Sequence, residues 1–322
     1  MSQLKELDRG VFTISLDFEL TWGTLDILGP DKWNQIYKLE REVIIDRLLD
    51  LFIEFDISAT WCILGHLFLD RCAPVGGRKH PEIVRARHAW HPEDWFARDP
   101  CATIEDAPIF YGRDLVEKIR DCAVPQEIGS HSFSHVIFGD PGCSAEAARS
   151  ELAECLRLAR EMQIEMTSFV FPRNEIGHLE VLEELGFKCY RGVEPNWFED
   201  AGYPHLLQRL MRLIDVLRAA KPPVVLPERE ENGLWNIPAS AMYFPANGVR
   251  RYISIERRVK RCIKGLDAAA AEKKIFHLWF HPTNMADEME KMFAGLRKIL
   301  EHAAALRKRG DLDILPMKAL IP

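Results

Sequence analysis

The chain has 322 residues, 47% of them hydrophobic and 28% charged, with a formal net charge of -7. That balance excludes wholesale disorder and a disulfide-stapled miniature fold, and the lack of a basic excess argues against nucleic acid as the main partner. No stretch reaches the roughly 20 apolar residues of a bilayer-spanning helix. The opening MSQLKELDRG has no apolar run followed by a small-residue cleavage site, and the eight cysteines show no CxxC pairing. These features predict a cytoplasmic chain with reduced thiols.

In chain order, Val11 to Glu19 reads as a strand, Trp33 to Phe55 as a helix and Ser58 to Leu64 as a second strand. Gly112 to Cys122 is helical, Gln126 to Ser130 is a short strand, and Ala145 to Met162 is helical again. Ser168 to Phe171 and Phe187 to Arg191 are strands around a helix from Gly177 to Leu185. Leu234 to Ile237 is a short strand, Ser254 to Lys273 a helix, Ile275 to Phe280 a buried strand and Asp287 to Arg309 a long helix. This alternation predicts a distorted, TIM-related (β/α) barrel of about seven strands, in one domain over 1–322. Residues 73–107 and 195–229 break the pattern and are expected as loop excursions, the second because its KPPVVLPE run cannot continue a helix.

Side chains alternate along a strand, so Ser15, Asp17 and Glu19 share a face opposite Ile14, Leu16 and Phe18. Two carboxylates leaving one strand end on one side repel each other unless a cation or donor compensates. His131 and His135, in GSHSFSH, follow a strand at i and i+4. If the segment turns helically they lie about 40° apart on one face, within reach of one ion. Two His with a carboxylate suit a catalytic zinc that keeps an open position.

Arg173 closes the FVFPRN strand, where it can hold a carboxylate by two parallel hydrogen bonds. His281 ends the last buried strand and is the candidate general acid, whereas His277 lies deeper and reads as a hydrogen-bonded core histidine. Asn174 and Trp197 are candidate substrate contacts, and Trp235 reads as core. His80, His88 and His91 in the first excursion match no compact ligand set, so a second metal site there is disfavoured.

The order of these pieces, an acidic strand motif, His-Ser-x-x-His, a strand ending Pro-Arg and a late strand ending in His, resembles the NodB-type polysaccharide deacetylases, carbohydrate esterase family 4. SATWCILG is similar to the family's second strand and EIGSHSFSH to its histidine motif. The likeness covers roughly 11–185 well and 234–285 more loosely. The resemblance implies one divalent metal, usually zinc with cobalt, nickel or manganese as substitutes, on His131 and His135. It implies Asp17 as base, Arg173 orienting it and His281 as acid. Phe18 stands where the family has a second adjacent Asp, so Glu19 becomes the carboxylate ligand, with the roles of Asp17 and Glu19 interchangeable on sequence alone. Glu194 is a weak candidate for tuning His281. The expected activity is removal of an N-acyl group, acetyl first, from an amino sugar or sugar-linked precursor in surface-polysaccharide synthesis. A small-molecule amidohydrolase or deformylase, or a catalytically silent saccharide-binding protein, are the alternatives. Sugar identity and oligomeric state are left open.

Overall fold

The computed structural model describes residues 2–3, 7–26, 30–195, 211 and 214–321. Its strands are β1 (Ser2–Gln3), β2 (Gly10–Phe18), β3 (Thr60–Ile63), β4 (Glu127–Ser130), β5 (Ser168–Val170), β6 (Cys189–Gly192), β7 (Glu228–Arg229), β8 (Trp235–Pro238), β9 (Ala241–Met242), β10 (Ile275–Phe280) and β11 (Leu312–Ile314). The helices between them are α1 (Pro30–Leu39), α2 (Ile45–Glu54), α3 (Arg113–Arg120), α4 (Ala145–Glu161), α5 (Leu179–Glu184), α6 (Ile255–Glu272) and α7 (Met289–Arg309). The helix expected over 33–55 is helical through Glu54, but a π turn at Glu40–Ile44 separates α1 from α2. Such turns widen the backbone ladder and recur near functional sites. Among the described residues no helix is long and apolar enough to cross a membrane.

The sheet runs β1-β7-β8-β6-β5-β4-β3-β2-β10-β9, with β11 pairing β2 as well. From β8 through β9 the pairing is parallel, whereas β1 and β7 join antiparallel at one edge. β2 is the central strand: Val11 to Leu16 pair with Ile275 to Phe280, and Ser15 to Phe18 with Thr60 to Ile63. All nine of its residues are buried, as expected for a parallel strand covered on both faces.

The sheet curls because its ends must meet. β8 pairs with β6 while β9 pairs with β10, yet only Ala239 and Ser240 separate β8 from β9. Ala239 N donates to Gly192 O (3.0 Å) and Ser240 N to His277 O (2.8 Å), so this short crossing bridges the two edges. The distorted barrel expected from the alternation is the observed architecture. The short strands β1, β7, β9 and β11 fall below the length at which a hydrophobic period can be read. The first excursion has little helix or strand, but its Ile83, Trp95 and Phe96 are buried in the main core. The second lies partly outside the described residues.

Parallel strands place their carboxyl ends at one rim, where loops can converge on a ligand. The opposite end is closed by Glu127, buried on β4. It accepts from Thr60 Oγ1 (2.6 Å), Lys318 N (3.0 Å) and Ser168 Oγ, tying β3, β5 and the C-terminal turn together. Glu127→Ala would leave these buried donors without an acceptor. We expect it to cost about 3 kcal/mol, read as a lowered urea midpoint, while leaving metal binding at the far rim intact.

Candidate active site

Glu19 follows β2 and precedes a short 3-10 turn, Leu20–Thr24. Its Oε1 lies 2.8 Å from His131 Nε2 and 3.2 Å from His135 Nε2, and all three side chains are buried. The carboxylate is seated against the backbone of Gly23, where an added Cβ would stand 1.6 Å from Glu19 Oε2. Only the missing side chain leaves room for it.

The two histidines converge differently from the helical turn expected. Residues 131–135 form no helix, and Ser132 (φ 61°) and His135 (φ 67°) adopt left-handed backbone. Glu151 on α4 holds this shape: its carboxylate accepts from Phe133 N (2.8 Å), Ser134 N (2.8 Å) and Ser134 Oγ (2.6 Å). Ser132 Oγ accepts from His135 N (3.0 Å). Burial pushes the Glu151 carboxyl up to about 6, against the pull of these donors.

This donor set fits a divalent ion. His131 Nδ1 lies 2.8 Å from the Val170 carbonyl, which can only accept, so Nδ1 carries the proton. In the neutral ring Nε2 then aims a lone pair at Glu19 Oε1, and His135 Nε2 stands 3.2 Å from the same oxygen. Acceptors gathered so closely need a shared proton or a cation. Ligands about 2.0–2.2 Å from a tetrahedral ion lie about 3.3 Å apart, near the observed spacings. Two imidazoles and one carboxylate leave a coordination position open, and the Val170 carbonyl orients its histidine from behind. Burial works to raise the Glu19 carboxyl, but His281, His135 and His131 hold it well below the usual range.

Beside this cluster Asp17 is held by an arginine, as expected, but by a different one. Arg191, on β6, donates through Nη1 to Asp17 Oδ1 (2.5 Å) and Ser15 Oγ (3.1 Å), and through Nη2 to Asp17 Oδ2 (2.7 Å). β6 is far from β2 in the sheet order, so this contact exists only because the sheet curls and both residues face inward. Its guanidinium lies over the Trp279 ring, 4.3 Å from the centroid. Arg173 instead pairs with Asp26 at the rim, because the chain turns at Pro172 and both Arg173 and Asn174 take left-handed backbone. Asn174 Oδ1 accepts from Arg191 Nη2 (3.1 Å), so Asn174 supports the guanidinium. Burial works to raise the Asp17 carboxyl, the Arg191 charge and hydrogen bonds override it, and its pKa falls below the ordinary aspartate value.

His281 Nε2 lies 3.8 Å from Asp17 Oδ2, on a partly open side chain. Burial opposes its protonation, but Glu19 and Asp17 together push its pKa up to about 9. His277 is a core histidine: Nε2 is 2.9 Å from Ser15 Oγ and Nδ1 3.2 Å from Pro238 O, and burial lowers its pKa to about 3. Glu194 accepts from Trp279 Nε1 (2.9 Å), and the Trp279 ring lies 5.9 Å from that of His281. Trp197 lies outside the described residues. Sequence reasoning passed over Arg191, Gly23 and Glu151. The RG pair ending a strand was visible, but no local signal links it to Asp17.

No family model matches the chain, and no curated protein matches it closely enough to report. Solved structures do. A Mycobacterium smegmatis protein classed as a polysaccharide deacetylase superposes with a TM-score of 0.63 at 14% identity, over 99% of this chain and 92% of its own. A PuuE allantoinase gives 0.59 at 11% identity, over 97% and 90%. A Pseudomonas aeruginosa PAO1 protein classed as a polysaccharide deacetylase gives 0.59 at 10%, again over 97% and 90%. At these identities the likeness shows a shared fold, the NodB-type barrel.

Two outcomes follow from this geometry. Gly23→Ala should displace the Glu19 carboxylate and weaken zinc binding about 10–100-fold with little loss of thermal stability, measured by competition with a chromophoric chelator. Arg191→Lys keeps the charge but loses the two-pronged grip on Asp17. It should lower turnover more than it raises KM, whereas Arg173→Lys should spare Asp17, as read from the pH profile of kcat.

Proposed function

We propose that this chain, which has the NodB-type polysaccharide-deacetylase fold, is a metal-dependent hydrolase removing an N-acyl group, acetyl first, from an amino sugar or sugar-linked precursor. The observation that carries the reading is the convergence of Glu19, His131 and His135 beside Asp17–Arg191 and His281 at one barrel rim. A role in surface-polysaccharide synthesis belongs to the same proposal.

Glu19, His131 and His135 would hold the ion, which would supply Lewis-acid polarisation of the amide carbonyl and a more acidic water. Asp17 is kept ionised by Arg191 and accepts the proton of the attacking water. The departing amine, a poor leaving group alone, needs a proton of its own. His281, 3.8 Å from the Asp17 carboxylate on a partly open side chain, donates one, and before the next turnover Asp17 releases its proton and His281 takes one up from water. Trp279 walls both groups, its ring against the Arg191 guanidinium and near the His281 imidazole, which limits water at the place where protons move.

The allantoinase among the structures of this fold supports a second reading, a hydrolase of small amides or ureides. A substrate panel separates the two: N-acetyl and N-formyl hexosamines, free and nucleotide-linked, against ureides, with acid release as the readout. We expect acetate from the sugar derivatives and a loss of about 10²–10⁴-fold in Asp17→Asn and His281→Ala. Turnover of ureides alone would replace the sugar reading. Saccharide binding without release of acid from any compound would reject hydrolysis altogether.

A further inference from the structure

A second cluster of metal-binding groups joins the first excursion to the turn after β3 and shares no residue with the groups around Glu19. His66 follows β3 in the turn Gly65–Phe68, Cys72 stands immediately before the excursion, and His80 and Asp99 come from the excursion itself. One ligand atom from each lies within 4.8 Å of all the others. His66, His80 and Asp99 are buried and Cys72 is partly so.

The contacts are those of groups facing a common centre. His66 Nε2 and His80 Nε2 are 3.2 Å apart, and Asp99 Oδ2 lies 2.9 Å from His80 Nε2 and 3.5 Å from His66 Nε2. Cys72 Sγ lies 3.5 Å from the same oxygen. A tetrahedral zinc with nitrogen and oxygen ligands at about 2.0–2.2 Å and sulfur at about 2.3 Å sets edges of about 3.3–3.6 Å; the 3.2 Å and 3.5 Å separations lie near that range and the 2.9 Å one is shorter. The outer nitrogens fix the tautomers this requires. His66 Nδ1 faces the Phe110 carbonyl (3.1 Å) and His80 Nδ1 faces Glu82 Oε1 (3.2 Å), so both act as donors and leave Nε2 lone pairs pointing inward.

A proton on His80 Nε2 could bridge to Asp99 or to His66, at the cost of a buried charge pair. It would not account for the sulfur. Cys72 Sγ stands 2.8 Å from Cys101 Sγ, closer than two thiols rest in ordinary contact, and Cys101 Sγ is itself 3.6 Å from Asp99 Oδ2.

We infer that His66, Cys72, His80 and Asp99 form a second, structural divalent-metal site of the kind zinc fills. With four protein donors and no open position it is closed to substrate. It fastens a long, irregular excursion to the carboxyl end of β3. The consequence reaches the catalytic rim by packing: His66 lies against Trp22, three residues after Glu19, with ring centroids 4.2 Å apart. The same excursion places Trp95 Nε1 on Ser134 O (2.6 Å), inside the histidine loop. The ligands come from positions 66, 72, 80 and 99, too dispersed for a spacing motif, and of the excursion's three histidines only His80 takes part.

The sulfur makes the test specific, since neither of the other candidate groups contains a cysteine. Full-length protein is purified without chelator, its zinc counted by mass spectrometry, and the zinc exchanged for cobalt. The wild type should carry about two zinc ions per chain, and its cobalt form should show sulfur-to-cobalt charge-transfer absorption in the near ultraviolet. His131→Ala should lose one ion and keep that absorption. Cys72→Ser should lose one ion together with the absorption, and Asp99→Asn provides a second variant should Cys72→Ser not fold. A wild-type cobalt protein lacking the sulfur band overturns the inference without any variant. So does a Cys72–Cys101 disulfide found by intact mass in protein that holds a single zinc.

Discussion

The buried carboxylate of Glu19 sets the terms for the rest of this molecule. Asp17 and Glu19 leave one strand on the same face and are both buried, an arrangement that repels itself unless positive charge is supplied from several directions. The barrel supplies part of it directly: β6 brings Arg191 across the lumen and β10 ends at His281, while His131 after β4 and His135 in the loop beyond it offer lone pairs that would share a cation with Glu19. Each partner is itself fixed from behind: His131 by the Val170 carbonyl, the histidine loop by Glu151, Arg191 by Ser15 and Asn174. The cost of concentrating acids in the rim is met by preorganised donors, which is also what a hydrolytic centre requires.

The division of labour between the two acids follows from their neighbours. Asp17 meets a guanidinium, a permanent cation that occupies both of its oxygens and keeps it ionised. Glu19 meets imidazoles, whose lone pairs and its own all aim at one point. A metal can sit among the second set and has little room within the first. Phe18, between the two acids in sequence, faces the other side of β2 and packs in the core near Trp61. A phenylalanine at that position therefore leaves the acid-bearing face intact.

How much of this the sequence disclosed depends on the range of each interaction. The period of two in SLDFE and the strand-then-histidine order are local, and both led to side chains that share the site. The alternation of strands and helices carried the barrel for the same reason. The path of residues 131–135 was less legible, because two left-handed residues and a glutamate from the next helix shape it, and an i, i+4 spacing cannot convey that. Arg173 and Arg191 each end a strand, and a guanidinium at either place reads alike. Which one reaches Asp17 is decided by sheet curl and by the turn at Pro172, both properties of the assembled barrel. The His66–Cys72–His80–Asp99 cluster was hidden by the same logic: its members are scattered over a segment whose course no period records.

The account rests on Glu19, His131 and His135 holding one ion, and anomalous X-ray diffraction at the zinc edge tests that most directly. A crystal of the protein purified from zinc-supplemented growth should show an anomalous peak about 2.0–2.2 Å from both Nε2 atoms and from a Glu19 oxygen. A map with no peak there, and with His131 donating directly to Glu19 as an imidazolium, would contradict it.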